Sequence, residues 1–155
     1  MAHAEQKEFM TSVKERFPEK FVNCRVLDIG EWENVDVVCR GHEFKDSEGF
    51  DVVISSECFE HDEFWKDTIK NCIALTKPGG VFLFSCATTE RPEHGTRRTS
   101  PQDSPFTSKL VGDYYMNLTE QDVRKEIDME NHFSEHEFIA REIWPQDLYF
   151  WGLAR

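Results

Sequence analysis

Residues Phe50 to Cys86 constrain the fold more than any other stretch of this 155-residue chain. The stretch opens on Asp51-Val52-Val53-Ile54-Ser55-Ser56, an acid and a run of β-branched residues that reads as a strand. A short polar and aromatic loop follows, Glu57-Cys58-Phe59-Glu60-His61. Phe64, Trp65, Ile69, Cys72 and Ile73 then recur at helical spacing. Lys77-Pro78-Gly79-Gly80 halts that helix in a tight turn. Val81-Phe82-Leu83-Phe84-Ser85-Cys86 is a second apolar run. Strand, loop, helix, turn and strand predict a βαβ unit. Both apolar runs are near continuous rather than alternating, the pattern of parallel strands covered on two faces.

The same residues carry a family resemblance. FDVVISSECFEH, followed one helix later by LTKPGGVFLFSC, resembles the fourth and fifth strands of class I S-adenosylmethionine-dependent methyltransferases of the type 11 kind. That family shows an FDVV strand, an E-x-x-E-H loop and an L-K-P-G-G-x-F/L strand. The pair at this spacing is specific, whereas each half alone is weak. The resemblance implies an α/β fold: a Rossmann-like three-layer sandwich with a mostly parallel sheet and an antiparallel C-terminal hairpin. It also implies S-adenosylmethionine as methyl donor and a small-molecule acceptor.

Upstream, Cys24-Arg25-Val26-Leu27-Asp28-Ile29-Gly30 reads as a strand ending in Asp-x-Gly, similar to the family's first motif, V-L-D-[IV]-G. Asp28 and Gly30 would then border the cofactor, since open α/β sheets bind ligands at the carboxyl ends of their strands. The family continues this turn as a Gly-rich loop and helix. Here Glu31-Trp32-Glu33-Asn34 leads straight into another apolar run, Val35 to Cys39, which reads as the family's third strand. A strand-helix unit is therefore missing near the N-terminus. Two alignments remain open: Asp28-Ile29-Gly30 is the first strand's motif with a shortened loop, or Asp28-Ile29-Gly30-Glu31 is the end of the second strand and the first strand is absent.

Further site candidates follow from the resemblance. Gly41 and His42, in the turn after the Val35–Cys39 run, would line the adenine, or form a plain surface turn. Ser56 and Glu57 would face cofactor and acceptor. His61 would be a base near neutral pH or a group satisfying its own loop. His42, His61, His94 and Cys58 show no metal-ligand spacing, so no metal is expected. Residues 87–112 read as an acceptor-side loop rich in Pro, Ser and Thr. His94 is a second candidate base there. Arg91, Arg97 and Arg98 would hold a carboxylate or phosphate of the acceptor, or pair with the protein's own acids. Tyr114 and Tyr115 would line the acceptor pocket or pack.

At the ends of the chain, Phe9, Met10, Val13 and Phe17 predict an amphipathic helix over residues 1–21, limited by Pro18. Thr119 is a natural N-cap. Phe133 to Ile143 alternates as a strand, and Asp147 to Leu153 is a final apolar strand. The whole reads as a single domain, 1–155. The formal charge of −12 disfavours nucleic acid and anionic membranes as partners. No run is long enough to span a bilayer, and MAHAEQKEF has no signal-peptide apolar region. Five scattered Cys without a CxxC pair read as reduced core thiols of a cytoplasmic protein. No G-x-G-x-x-G follows a strand, which disfavours a dinucleotide oxidoreductase. The competing reading is a degenerate domain that has lost catalysis and serves as a binding module or forms a homo-oligomer through its altered sheet edge.

Overall fold

The computed structural model describes residues 4–30, 39–110 and 113–155. Strand β3 (Thr76–Ala87) is the centre of a five-stranded mixed sheet of order β1-β2-β3-β5-β4. β1 is Val26–Ile29, β2 Phe50–Ser56, β4 Phe133–Ala140 and β5 Asp147–Ala154. β1, β2 and β3 run parallel, with Val52 opposite Val81 and Ile54 opposite Leu83. β5 then pairs antiparallel with β3, Leu83 facing Trp151, and β4 closes the hairpin. The sheet is thus half parallel and half antiparallel among the described residues.

Two apolar layers follow from the alternation of β3. Val81 and Leu83 face helix α1 (Ala4–Arg16), where Phe9, Val13 and Phe17 pack with Val52, Tyr149 and Trp151. Phe82 and Phe84 face the other way, against helix α2 (Trp65–Leu75), with Trp65, Ile69 and Cys72. The sequence puts residues at every position of Val81 to Ala87 that both layers bury. Each buried large apolar side chain contributes about 1.5–3 kcal/mol over leaving it in water. The α/β sandwich expected from the βαβ pattern is therefore present, with α2 joining β2 to β3.

The start of β3 refines the expected turn. α2 ends at Leu75 and the strand begins at Thr76, opposite Phe50, so Lys77-Pro78-Gly79-Gly80 is an irregular strand segment rather than a separate turn. On the C-terminal side, β4 stops at Ala140, short of Ile143, which is 76% exposed. Helix α3 (Pro105–Leu110) lies within the stretch read as loop. Helix α4 (Glu120–Glu126) starts at the expected Thr119 cap, which forms a capping box with Asp122. The short helix α5 (Met129–His132) leads into β4. All five Cys are free thiols, but Cys39 is exposed and so is no core thiol. Among the described residues no helix is long and apolar enough to cross a membrane.

β1 pairs directly with β2, the FDVV strand. In a doubly wound sheet the first strand lies beside the fourth, and a second strand would take the same place in a sheet that lacks the first. Among the described residues β1 is the sheet edge. The strand expected at Val35–Cys39 lies outside the described residues, apart from Cys39, which sits in a bend.

One ionic clamp holds the chain between β1 and β2. Arg25 donates to both carboxylate oxygens of Asp46 at 2.7 Å and to the Gly49 carbonyl at 2.9 Å. Asp46 also accepts the backbone N–H groups of Glu48 and Gly49. The Arg25 hydrogen bonds, with these amides, hold the Asp46 carboxyl well below the usual range. A carboxylate so stabilised supports the fold above its unfolded pKa and loses that support as pH falls through its folded pKa. Asp46→Asn is therefore expected to lower stability by a constant amount between pH 7 and about pH 5 and by less below about pH 4. Urea melts across that range check this, and a gap that does not shrink in acid would contradict it.

Candidate functional site

The carboxyl ends of β2 and β3 carry a buried group of charged residues. Beyond β2 the chain turns at Glu57, a non-glycine residue at φ 50°, whose N–H donates to the Ser85 carbonyl at 2.9 Å. A 3₁₀ turn, Phe59–His61, follows and buries all three of its side chains. Glu60 is fully buried: its Oε1 accepts from the Ala87 N–H at 3.3 Å, and its Oε2 has no hydrogen-bond partner.

Arg91 lies across this edge, almost wholly buried. Its guanidinium donates to Asp147, at the start of β5, and to the Pro145 carbonyl, and it stands 3.5 Å from Glu57 Oε2. The Trp144 ring covers it at 4.9 Å. Asp147 is fully buried and also accepts from the Tyr149 hydroxyl at 3.0 Å. Asp147 and the half-buried Glu57 thus share one guanidinium. Burial, then the Asp147 charge, pushes Glu57 up to about 7, against the pull of Arg91. Burial and the neighbouring Glu57 push Glu60 well above the ordinary range.

Against this group stand two histidines and a tyrosine. His61 and His94 meet edge to face at 5.1 Å between ring centroids, and Tyr115 packs on both at 5.4 and 5.2 Å. His94 Nδ1 lies 3.1 Å from the Pro92 carbonyl and 3.2 Å from the Tyr115 hydroxyl. His61 is buried, and its Nδ1 has no hydrogen-bond partner. Burial, then His94 and Arg91, lowers His61 to about 3, and burial lowers His94. Both imidazoles are therefore neutral at pH 7. Gly95, at φ 65°, lets the loop close on this ring: a Cβ there would lie 2.7 Å from His61 Cε1.

The other arginines are engaged within the loop. Arg97 donates to the Ser108 carbonyl at 2.7 Å, and its N–H donates to Asp113. Arg98 pairs with Glu93 at 3.0 Å and reaches the Asp113 carbonyl. Tyr114 packs against the α2 layer, apart from the histidines.

A second group borders β1. Gly41 sits in a turn so close to α2 and β1 that a Cβ would meet Thr68 Cγ2 at 2.6 Å and Ile29 Cγ2 at 3.3 Å. Asn71 fastens that turn by donating to the Gly41 and Phe44 carbonyls. The His42 ring packs on Phe64 at 4.6 Å, with its Nδ1 buried and lacking a hydrogen-bond partner. Gly30 ends β1 nearby, and Asp28 is exposed.

The fold thus brings Glu57, His61, Arg91, His94 and Tyr115 together, and gathers Gly30, Gly41 and His42 separately. Sequence reading missed Asp147, which looked like the first residue of a strand. Its partner Arg91 is 56 positions away, and no local pattern joins them. Glu60 was visible only as part of the E-x-x-E-H text.

Residues 6–84 match the family model described as "Methyltransferase domain". A ubiquinone biosynthesis O-methyltransferase from Coxiella burnetii is 41% identical over 54 residues, covering 34% of this chain and 23% of that enzyme. The aligned stretch therefore spans about a quarter of the length of the curated relatives it matches. Among solved structures, an O-methyltransferase family protein from Burkholderia thailandensis aligns at 12% identity and a TM-score of 0.48, covering 94% of this chain and 57% of that one. The N-methyltransferase NodS from Bradyrhizobium japonicum WM9, in complex with S-adenosyl-l-homocysteine, aligns at 13% identity and 0.48, covering 94% and 61%.

Removing Arg91 would leave Asp147 and Glu57 buried without their cation. Arg91→Met is expected to cost about 3–5 kcal/mol, and Arg91→Met with Asp147→Asn to cost clearly less than the two singles summed. A double-mutant cycle in urea checks this, and additive losses would contradict it.

Proposed function

The chain belongs to the methyltransferase-domain family, and we propose that it transfers a methyl group from S-adenosylmethionine to a small-molecule acceptor. The observation that carries this reading is the common edge of the three parallel strands. β1, β2 and β3 end side by side, with Gly30 following β1 and Ser56 and Glu57 at the end of β2, and the Gly41 turn lies against Ile29 of β1. Ligands of open α/β sheets bind at such an edge.

The residues fit the donor on one side. Ile29 lies against Gly41, the His42 ring packs on Phe64, and His42 Nδ1 is a buried nitrogen without a hydrogen-bond partner, groups that would suit an adenine ring. Gly30, Ser56 and Glu57 would hold the rest. When bound, S-adenosylmethionine supplies a methyl group on a positively charged sulfur. The chain's own part is to position donor and acceptor in line. His61 and His94 enter as neutral imidazoles on the acceptor side, able to accept a hydrogen bond from an acceptor hydroxyl.

A second reading has a specific observation behind it. Only nine residues separate Gly30 from Arg40, fewer than a crossover helix and a further parallel strand require. The described residues accordingly offer no second-strand acid for the ribose hydroxyls, and Asp28 is exposed. In that reading the domain binds without catalysing, or self-associates through β1.

Calorimetric titration with S-adenosylmethionine and with its demethylated product separates the two. Methyl transfer requires micromolar binding that His42→Ala weakens about tenfold, or about 1.4 kcal/mol. No heat at millimolar ligand would end the methyl-transfer reading and leave the second standing.

A further inference from the structure

Sequence spacing alone offers no metal set, but the fold assembles one. One ligand atom from each of Glu60, His61 and His94 lies within 4.8 Å of the others. We propose that these three side chains bind one divalent first-row transition-metal cation. This goes beyond methyl transfer and does not depend on it.

Three observations converge. First, the donor set of two imidazoles and one carboxylate suits such cations and not Mg²⁺ or Ca²⁺, which take oxygen ligands. Second, two of the three groups have buried atoms left over. Glu60 Oε2 and His61 Nδ1 have no hydrogen-bond partner, in side chains that are 0% and 4% exposed. Buried polar atoms are almost always paired, so an orphaned carboxylate oxygen beside an orphaned imidazole nitrogen calls for a partner.

Third, the outer contacts are those of a metal ligand. His94 Nδ1 faces the Pro92 carbonyl, so the proton placed there leaves Nε2 as a lone-pair donor. Tyr115 steadies the ring from the same side. Cation–ligand distances of about 2.0–2.2 Å are reached if each side chain closes toward the centre of the three ligand atoms. Three protein ligands leave coordination positions for water or for an oxygen atom of a bound molecule.

The test uses the full chain, stripped with chelator and titrated with Co²⁺ alone. We expect saturable visible absorption at one cation per chain and a melting temperature that rises with Co²⁺. Glu60→Gln, which keeps the side-chain volume, and His94→Ala, in the half-buried loop, are each expected to weaken binding about ten- to hundredfold. His132→Ala, on the exposed end of α5, leaves it unchanged. Circular dichroism of each variant separates lost binding from lost fold. No saturation at millimolar Co²⁺, or stoichiometric binding that survives both substitutions in folded protein, overturns the proposal. S-adenosylmethionine is absent throughout, so this outcome is independent of the donor titration.

Discussion

The Arg91 guanidinium is the contact on which the ligand edge of the sheet depends. It ties together three segments far apart in sequence: the turn after β2 through Glu57, the loop after β3 through its own backbone, and the start of β5 through Asp147. Its aliphatic and cationic parts are both out of solvent, under Trp144. Burial makes the pair strong in one sense only. Desolvation consumes most of the attraction, so the pair adds little net stability, but either charge left alone would be costly. Such an arrangement fixes where the loop sits rather than how stable the domain is.

That constraint explains why the loop is ordered despite its composition. Its Pro, Ser and Thr cannot form a core, and the arginines replace one. Arg97 and Arg98 fasten backbone carbonyls and Glu93 near the surface, while Arg91 anchors the base. Gly95 then folds the chain onto His61, bringing His94 to it. The histidines meet because of charges that lie outside their own ring contacts.

The central βαβ unit was legible because its information is local. Helical spacing in Phe64 to Ile73 and unbroken apolar text in Val81 to Cys86 each specify one element. Thr119 as a cap was legible for the same reason. That Asp28-Ile29-Gly30 lies beside β2 was not, since pairing is a property of the sheet. The charged group was the least legible. Asp147 belongs by alternation to a strand, and Arg91 by composition to a loop, and only burial gives them a common environment. The three arginines looked equivalent in sequence, yet depth separates them: Arg91 is inside and Arg98 is exposed.

The two halves of the ligand edge differ in what they need from the rest of the chain. The proposed donor side, at Gly30, Gly41 and His42, borders β1, beyond which a full Rossmann-like sheet would carry further strands. The charged group rests on β2, β3 and β5, each paired along most of its length and buried on both faces. Glu57 is where they join, with its backbone bonded to β3 and its carboxylate turned to Arg91. A ligand on the donor side that displaced Glu57 would alter the charge balance around Glu60, and a cation held by Glu60 would draw Glu57 toward its ionised form. Glu57 would thus link the two proposed sides through its carboxylate.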